Sequence, residues 1–132
     1  SGTSISDIQA NRPEVARESA ARWGVTVVLK GAFTVVAHPD GRVAISSWAL
    51  PALGSAGTGD VLAGAIGGLL AQGVSPFEAA CSAVYLHGAA GVLAANSAGD
   101  PTAGLLAGDL ADRLPAAMGA VRRGEIPGGA FA

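Results

Sequence analysis

The first part of the chain shows both helical and strand patterns of hydrophobic residues, whereas the second part shows helical patterns only. In the first part, residues 13–23 repeat apolar positions at helical spacing after a proline, which predicts a helix. The run VTVVL at 25–29 is almost wholly apolar and β-branched, as expected of a central strand buried on both faces. Two further strands, 33–37 and 43–45, are predicted to form a hairpin around a Pro-Asp-Gly turn.

The remainder of the chain carries helical patterns only. After a loop at 46–57, apolar helices are predicted at 58–72 and at about 76–96. Two shorter helices, 105–113 and 115–123, are expected on either side of a proline, because proline inside a helix removes a backbone hydrogen bond.

These elements predict an α/β fold of the three-layer α/β/α kind, in an incomplete form. One strand and a hairpin cannot cover four helices as a doubly wound sheet, so further strands are expected from outside the chain. Residues 1–132 are therefore interpreted as the C-terminal part of a single domain whose N-terminal part this chain does not include.

Composition narrows the class of protein. Half of the residues are hydrophobic and 14% are charged, which argues against disorder. The net charge of −2, with only Arg122 and Arg123 as a basic pair, gives no support for nucleic-acid binding. The single cysteine, Cys81, excludes an internal disulfide, and no apolar run of about 18 residues is free of glycines and polar breaks. A cytoplasmic protein without a membrane span is the expectation.

The segment 54–73 carries the candidate chemistry. Gly57 and Gly59 flank Thr58, and Asp60 follows where an apolar helix begins. Glycines at a helix N-terminus let backbone N–H groups converge on an anion, such as a transferring phosphoryl group. A carboxylate in the same turn could accept a proton from an attacking hydroxyl.

A plainer interpretation is that Asp60 caps its helix and that the glycines form a tight turn, as in most isolated GTGD sequences. The surrounding sequence favours function instead. The motif follows a buried strand that ends in Lys30-Gly31, and it leads into a helix whose Gly64, Gly67 and Gly68 should allow close packing.

Two longer stretches carry a family resemblance. LKGAFTVVAHPDGRVAI (29–45) and GSAGTGDVLAGAIGGLLAQGVSPFEAACSAVYLHGAAG (54–91) resemble the C-terminal part of bacterial ADP-dependent NAD(P)H-hydrate dehydratases, which belong to the ribokinase-like superfamily. GTGD alone is shared, in variants, with sugar and vitamin-precursor kinases. The extended GTGDVLAG (57–64) and the later YLHG (85–88) are more similar to the dehydratases.

The resemblance implies a site and a reaction. ADP or ATP, with Mg²⁺ on its phosphates, would phosphorylate the ring hydroxyl of hydrated NADH or NADPH, and elimination of phosphate would restore the reduced nucleotide. Asp60 would contact the hydrate and act as the base. The family also implies a homo-oligomer. The implied nucleotide-binding residues are Lys30, Gly31, Ala32, Phe33, Thr34 and Gly59, with Gly57, Thr58 and Gly59 as the anion hole and no metal ligand from the protein.

The sequence also departs from the family. Residues 48–53 replace a Thr-Gly-Asn-Pro-like stretch, and the His-Pro-Gly-Glu-like substrate segment does not occur in the chain. Two rival functions therefore stay open: a small-molecule kinase of the same superfamily, and a non-catalytic nucleotide-binding fragment that needs a partner chain.

Three single residues allow two interpretations each. Lys30 could pair with a phosphate or be solvated at its strand end. His87, on an apolar helix, is more typical of a packing histidine than of a catalytic one. Trp48 could stack on adenine, although a packing anchor is the commoner role.

Overall fold

The computed structural model describes residues 4–48, 51–54, 56–99 and 105–125. Three short strands form one antiparallel sheet in the order β1-β2-β3, and helices precede and follow it. The elements are α1 (Ile5–Ala10), α2 (Arg12–Trp23), β1 (Val27–Leu29), β2 (Val35–Ala37), β3 (Val43–Ile45), a 3₁₀ turn (Pro51–Gly54), α3 (Thr58–Ala71), α4 (Pro76–Ala98) and α5 (Ala107–Arg122).

The central strand of this sheet is β2, not the run 25–29. Val36 lies opposite Val28 of β1 and Ala44 of β3, and all three residues of β2 are buried. β1 is only partly buried and pairs with β2 alone among the described strands. The prediction of a central strand buried on both faces was therefore wrong for 25–29, because β2 is the strand that is paired on both sides and covered on both faces.

The sheet separates two layers of helix. Val35 and Ala37 point to α2, where they meet Ala16 and Ala20. Val36 points to the opposite face, as the two-residue alternation of a strand requires. There it packs with apolar side chains of α3 and α4, namely Leu62, Ala80, Ala83 and Val84. The predicted three-layer α/β/α arrangement is present in this part of the fold.

A second core lies beyond the sheet, between α4 and α5. It is built mainly from small residues around one large ring, Trp48, which is 5% exposed. The other buried members are Ala89, Ala90, Val92, Leu110 and Ala117. Gly88 admits the ring, since a Cβ there would lie 2.1 Å from the Trp48 Cδ1 atom. Small residues on α4 therefore make room for the indole.

α4 is long and apolar enough to cross a membrane by length and composition alone. Its apolar window is 61% buried inside the fold, as is usual for the core helix of a globular domain. Among the described residues, α4 is the one helix that is both long enough and apolar enough.

Several element boundaries differ from the sequence prediction. α5 is one continuous helix with Pro115 inside it, rather than two helices. Pro115 is exposed while Leu110 and Ala117 are fully buried, so packing against α4 offsets the lost hydrogen bond. The polar start of the chain contains α1, which begins with a Ser4–Asp7 capping box.

The glycines of α3 do not make the close contacts expected of them. A Cβ at Gly64, Gly67 or Gly68 would have no neighbour within 4 Å in the described structure. Close approach of a helix is instead found at Gly88 of α4.

Candidate functional site

The first turn of α3 is shaped by Gly57. This residue has φ +85°, which glycine adopts without strain, and its carbonyl accepts the N–H groups of Asp60 at 3.1 Å and Val61 at 3.2 Å. A Cβ at Gly57 would also lie 3.0 Å from Ala107 Cβ at the start of α5. The Gly59 N–H lies in the first helical turn, where the helix itself supplies no acceptor. This is the geometry that favours an anion.

Thr58 contributes its backbone to this turn, because its side chain is occupied elsewhere. The residue is fully buried, and its hydroxyl donates to the Leu53 carbonyl at 2.7 Å. The side chain therefore ties the 3₁₀ turn to the start of α3.

The Lys30 side chain connects the segment 30–34 to the first turn of α3. Its Nζ donates to the same Leu53 carbonyl at 3.1 Å. Its aliphatic chain lies beside Gly59, where a Cβ would be 3.7 Å from both Cδ and Cε. An ammonium group is thus held next to the first turn of α3, although the two segments are almost 30 positions apart in sequence.

The run Lys30–Thr34 forms a turn rather than the beginning of a strand. Thr34 Oγ1 accepts the Gly31 N–H at 3.3 Å and donates to the Gly31 carbonyl at 3.1 Å. Phe33 has φ +53° and is 51% exposed, so the predicted strand at 33–37 starts only at Val35. An aromatic residue in the left-handed region is uncommon, and such strain concentrates at functional sites.

Arg12 supports this turn from α2, which the sequence did not reveal. Its Nη2 donates to the Leu29 carbonyl at 2.8 Å, and a Cβ on Gly31 would lie 2.1 Å from Nη1. Gly31 is therefore required to be small by a guanidinium group that lies across it. A lone arginine before a helix-opening proline carries no recognisable signal in the sequence.

A cavity of about 210 Å³ opens between the turn and the helices. It is lined by four residues of the predicted nucleotide run and by residues of the 3₁₀ turn and of α4. These include Lys30, Gly31, Ala32, Thr34, Leu53, Gly54, His87 and Gly88. Phe33 is not among the lining residues. The predicted nucleotide segment therefore forms one wall of a recess, and α4 forms the opposite wall.

Asp60 lies at the outer rim of the first turn of α3. Its side chain is exposed, and within the described part of the chain its carboxylate forms no hydrogen bond or ion pair. A hydroxyl group arriving from solvent can therefore reach this carboxylate.

His87 lies beneath the same turn. It is 4% exposed, and its Nε2 is 2.8 Å from the Thr58 carbonyl oxygen. Burial lowers the pKa of the imidazole, the hydrogen bond to Thr58 opposes that effect, and the charge of Lys30 adds to it. His87 is thus packed in the core, as predicted, and its ring also binds the carbonyl of Thr58 in the GTGD sequence (57–60).

Trp48 is a packing anchor in this structure. Its buried ring stands tilted against Tyr85, with centroids 5.6 Å apart. One edge borders the cavity, but the burial of the ring leaves no open face on which an adenine could stack.

A protein-built metal site does not arise from these residues. Residues 4–48, 51–54, 56–99 and 105–125 contain no group of three or more His, Cys, Asp or Glu side chains that could hold an ion. Cys81 is partly buried on α4, and burial raises the pKa of its thiol.

Comparison with known proteins supports the resemblance seen in the sequence. A model of the NAD(P)H-hydrate dehydratase family matches residues 2–116. The ADP-dependent (S)-NAD(P)H-hydrate dehydratase of Neisseria meningitidis serogroup B is 50% identical over 83% of this chain and 37% of its own length. A bifunctional NAD(P)H-hydrate repair enzyme of Moorella thermoacetica is 47% identical over 86% of this chain and 21% of its own.

A solved structure shows the same fold. The ADP/ATP-dependent NAD(P)H-hydrate dehydratase from Bacillus subtilis, co-crystallized with ATP/Mg²⁺ and soaked with CoA, superimposes with a TM-score of 0.83 at 39% identity. The match covers 90% of this chain and 43% of the Bacillus chain. The present chain thus spans less than half the length of these relatives.

Proposed function

The chain belongs to the NAD(P)H-hydrate dehydratase family, and on that premise we propose that it supplies the nucleotide-binding and proton-accepting part of such an enzyme. The reaction would be ADP- or ATP-dependent dehydration of hydrated NADH or NADPH. The rest of the domain, including contacts to the hydrated nicotinamide, would come from sequence outside residues 1–132.

One observation carries this proposal: the Lys30 side chain lies beside Gly59. Its methylene groups flank Gly59, and its ammonium group binds the Leu53 carbonyl that also accepts the Thr58 hydroxyl, at the positive end of the α3 dipole. A terminal phosphoryl group between Lys30 and Gly59 would meet a cation and backbone donors at once, which stabilises the charge that develops during transfer. The adenosine part of the nucleotide would extend along Gly31, Ala32, Phe33 and Thr34.

Asp60 would act as the base. The hydroxyl oxygen of the hydrate attacks the terminal phosphorus, its proton passes to the Asp60 carboxylate, and the P–O bond to the remaining nucleotide breaks. The ring C–O bond then breaks, phosphate leaves, and a proton is lost from the adjacent ring carbon. The exposure of Asp60 supports this role, because a substrate approaching the phosphoryl group has to pass the rim of the turn.

Mg²⁺ would be held here by the phosphates of the nucleotide and not by a set of protein ligands. The described residues offer no multidentate acidic cluster, and Mg²⁺ often binds mainly through substrate phosphates and water. When bound, the ion would neutralise phosphate charge. The roles proposed here for Lys30, Gly59 and Asp60 do not depend on where the ion lies.

The test is Asp60→Asn in the complete protein, assayed with hydrated NADH, Mg²⁺ and either ADP or ATP. Turnover, followed by the returning near-ultraviolet absorbance of NADH, should fall by at least about 10²-fold, since loss of a general base removes about that much. Nucleotide affinity and melting temperature should stay nearly unchanged. Asp112→Asn, an exposed carboxylate on α5, is the matched control and should keep full activity.

The outcomes separate the rival functions. Near-normal NADH recovery by Asp60→Asn would reject Asp60 as the base. A stable phosphorylated product without NADH recovery would indicate a small-molecule kinase. Nucleotide binding with no turnover until a second polypeptide is added would indicate a fragment that works with a partner chain.

A further inference from the structure

The helical wall of the cavity contains a polar group that the proposed chemistry does not use. His87 is 4% exposed on a helix whose buried residues are otherwise apolar or glycine. Burying a polar side chain costs free energy unless it is hydrogen-bonded, and His87 has such a bond, to the Thr58 carbonyl. A leucine or methionine would fill space on α4 without that requirement. The bond therefore needs an explanation beyond packing.

The hydrogen bond ends in the turn that forms the candidate phosphate site. A carbonyl oxygen only accepts, so Nε2 carries the proton and Nδ1 does not when the ring is neutral. The acceptor, Thr58, is the first residue of α3, and its own hydroxyl donates to Leu53. Lys30 donates to the same Leu53 oxygen. A continuous chain of contacts thus runs from α4, through the first turn of α3, to the ammonium group.

We propose that His87 is a positioning residue: its Nε2–H fixes the Thr58 peptide and thereby aims the first-turn N–H groups of α3 at the phosphoryl group beside Lys30. The residue does not touch substrate; it acts through Thr58. This inference rests on the proposed function for its kinetic consequence, while its geometry can be tested independently.

The contacts of Thr58 set how the first turn of α3 lies against its neighbours. Gly57 and Gly59, on either side of Thr58, carry no side chains that could do so. The Thr58 hydroxyl binds the 3₁₀ turn, and its carbonyl binds α4 through His87. Removing the His87 donor loosens the tie between this turn and α4, and misplacement of reacting groups by about 1 Å can cost about 10²-fold in rate.

The kinetic test compares three variants of the complete protein. Gln at position 87 keeps an amide nitrogen near the Nε2 position, whereas Asn places its nitrogen near Nδ1 and cannot reach Thr58. His87→Asn should lower kcat for NADH recovery by about 10- to 10²-fold, with a smaller change in KM for hydrated NADH. His87→Gln should stay within about threefold of the wild type. Val92→Ala, a buried truncation on the same helix, is the stability control and should keep kcat.

A spectroscopic measurement tests the geometry without any variant. The imidazole ¹⁵N spectrum of the wild-type protein should show the neutral Nε2–H tautomer for His87. Binding of Mg·ADP, measured by calorimetry, should weaken in His87→Asn and not in His87→Gln.

The results distinguish the two proposals. An Nδ1–H tautomer, or equal kcat in His87→Asn and Val92→Ala at matched stability, would overturn the positioning role. If the wild type recovers no NADH from its hydrate, the proposed function fails. Separation of the two His87 variants in Mg·ADP affinity would then still support the positioning of the turn.

Discussion

The two walls of the cavity are held in different ways. The helical wall includes His87 and Gly88 of α4, both buried, and Gly88 lies against the Trp48 ring. The strand wall consists of the run Lys30–Thr34, in which only Thr34 is buried. One wall therefore takes its shape from a core, and the other from a few hydrogen bonds at the surface.

This difference has consequences for local stability. Opening the helical wall exposes apolar surface of the α4–α5 core. Opening the strand wall mainly breaks hydrogen bonds, namely those of Arg12, Lys30, Phe33 and Thr34. The candidate phosphate site, in the first turn of α3, is bonded to this stiffer wall through His87. The run expected to meet the rest of the nucleotide lies on the more adaptable side.

The largest expected effect tests the helical wall. In Gly88→Ala, the new methyl group would lie between 2.1 and 2.6 Å from three atoms of the buried Trp48 ring, so the ring or the helix must move. We expect a loss of about 1–3 kcal/mol in the free energy of unfolding, as for other overpacked cores. Urea unfolding measures it.

A matched glycine on α3 provides the control. Gly64 is exposed, and a Cβ there meets nothing within 4 Å in the described residues. Gly64→Ala should therefore stabilise the protein by about 0.5–1 kcal/mol, since alanine favours a helix interior over glycine. Equal effects at positions 64 and 88 would contradict the close contact between Gly88 and Trp48.

A smaller effect is expected on the strand wall. Gly31→Ala should displace the Arg12 guanidinium and break its bond to the Leu29 carbonyl, at a cost of about 1 kcal/mol. Because the obstacle is a side chain, the cost should disappear in an Arg12→Ala background. A double-mutant cycle on unfolding free energies measures the coupling. Additive effects would mean that Arg12 does not lie across Gly31.

The smallest expected effect depends on pH. The pKa of His87 is lowered from its ordinary 6.5 by burial and by Lys30, while the Thr58 carbonyl opposes the shift. As pH falls below about 6.5, the unfolded state takes up the proton first, so stability is lost towards acid and is fully present above that range. Among the residues that line the cavity, the charged one is Lys30, and Asp60 is exposed on α3.

His87→Gln removes this titration and serves as the reference. Between about pH 8 and about pH 5.5, the urea midpoint of the wild type should fall further than that of the variant. Identical slopes for the two proteins would show that the His87 pKa is the same in the folded and unfolded states.

The sequence predicted those elements whose signal lies in neighbouring residues. The helix at 13–23, the hairpin and the start of α3 follow from prolines, glycines and apolar periodicity, and the structure contains all three. Pro115 misled the prediction, because burial of Leu110 and Ala117 outweighs a local rule.

The contacts that build the site were not predictable in this way. Arg12 lies over Gly31, and His87 reaches Thr58 across 29 positions, through backbone groups that every residue possesses. A side chain that binds a backbone carbonyl leaves no complementary residue type in the sequence. Such pairs become visible only when the chain is folded.

The Leu53 carbonyl, which receives both Lys30 and the Thr58 hydroxyl, has a consequence for mutational tolerance. Because the acceptor is a main-chain atom, replacing the leucine by another apolar residue of similar size preserves both bonds. Position 53 should therefore accept substitution in a mutational scan much more readily than positions 30 and 58. A scan that varies side chains would then not reveal that the main chain of residue 53 connects Lys30 to Thr58.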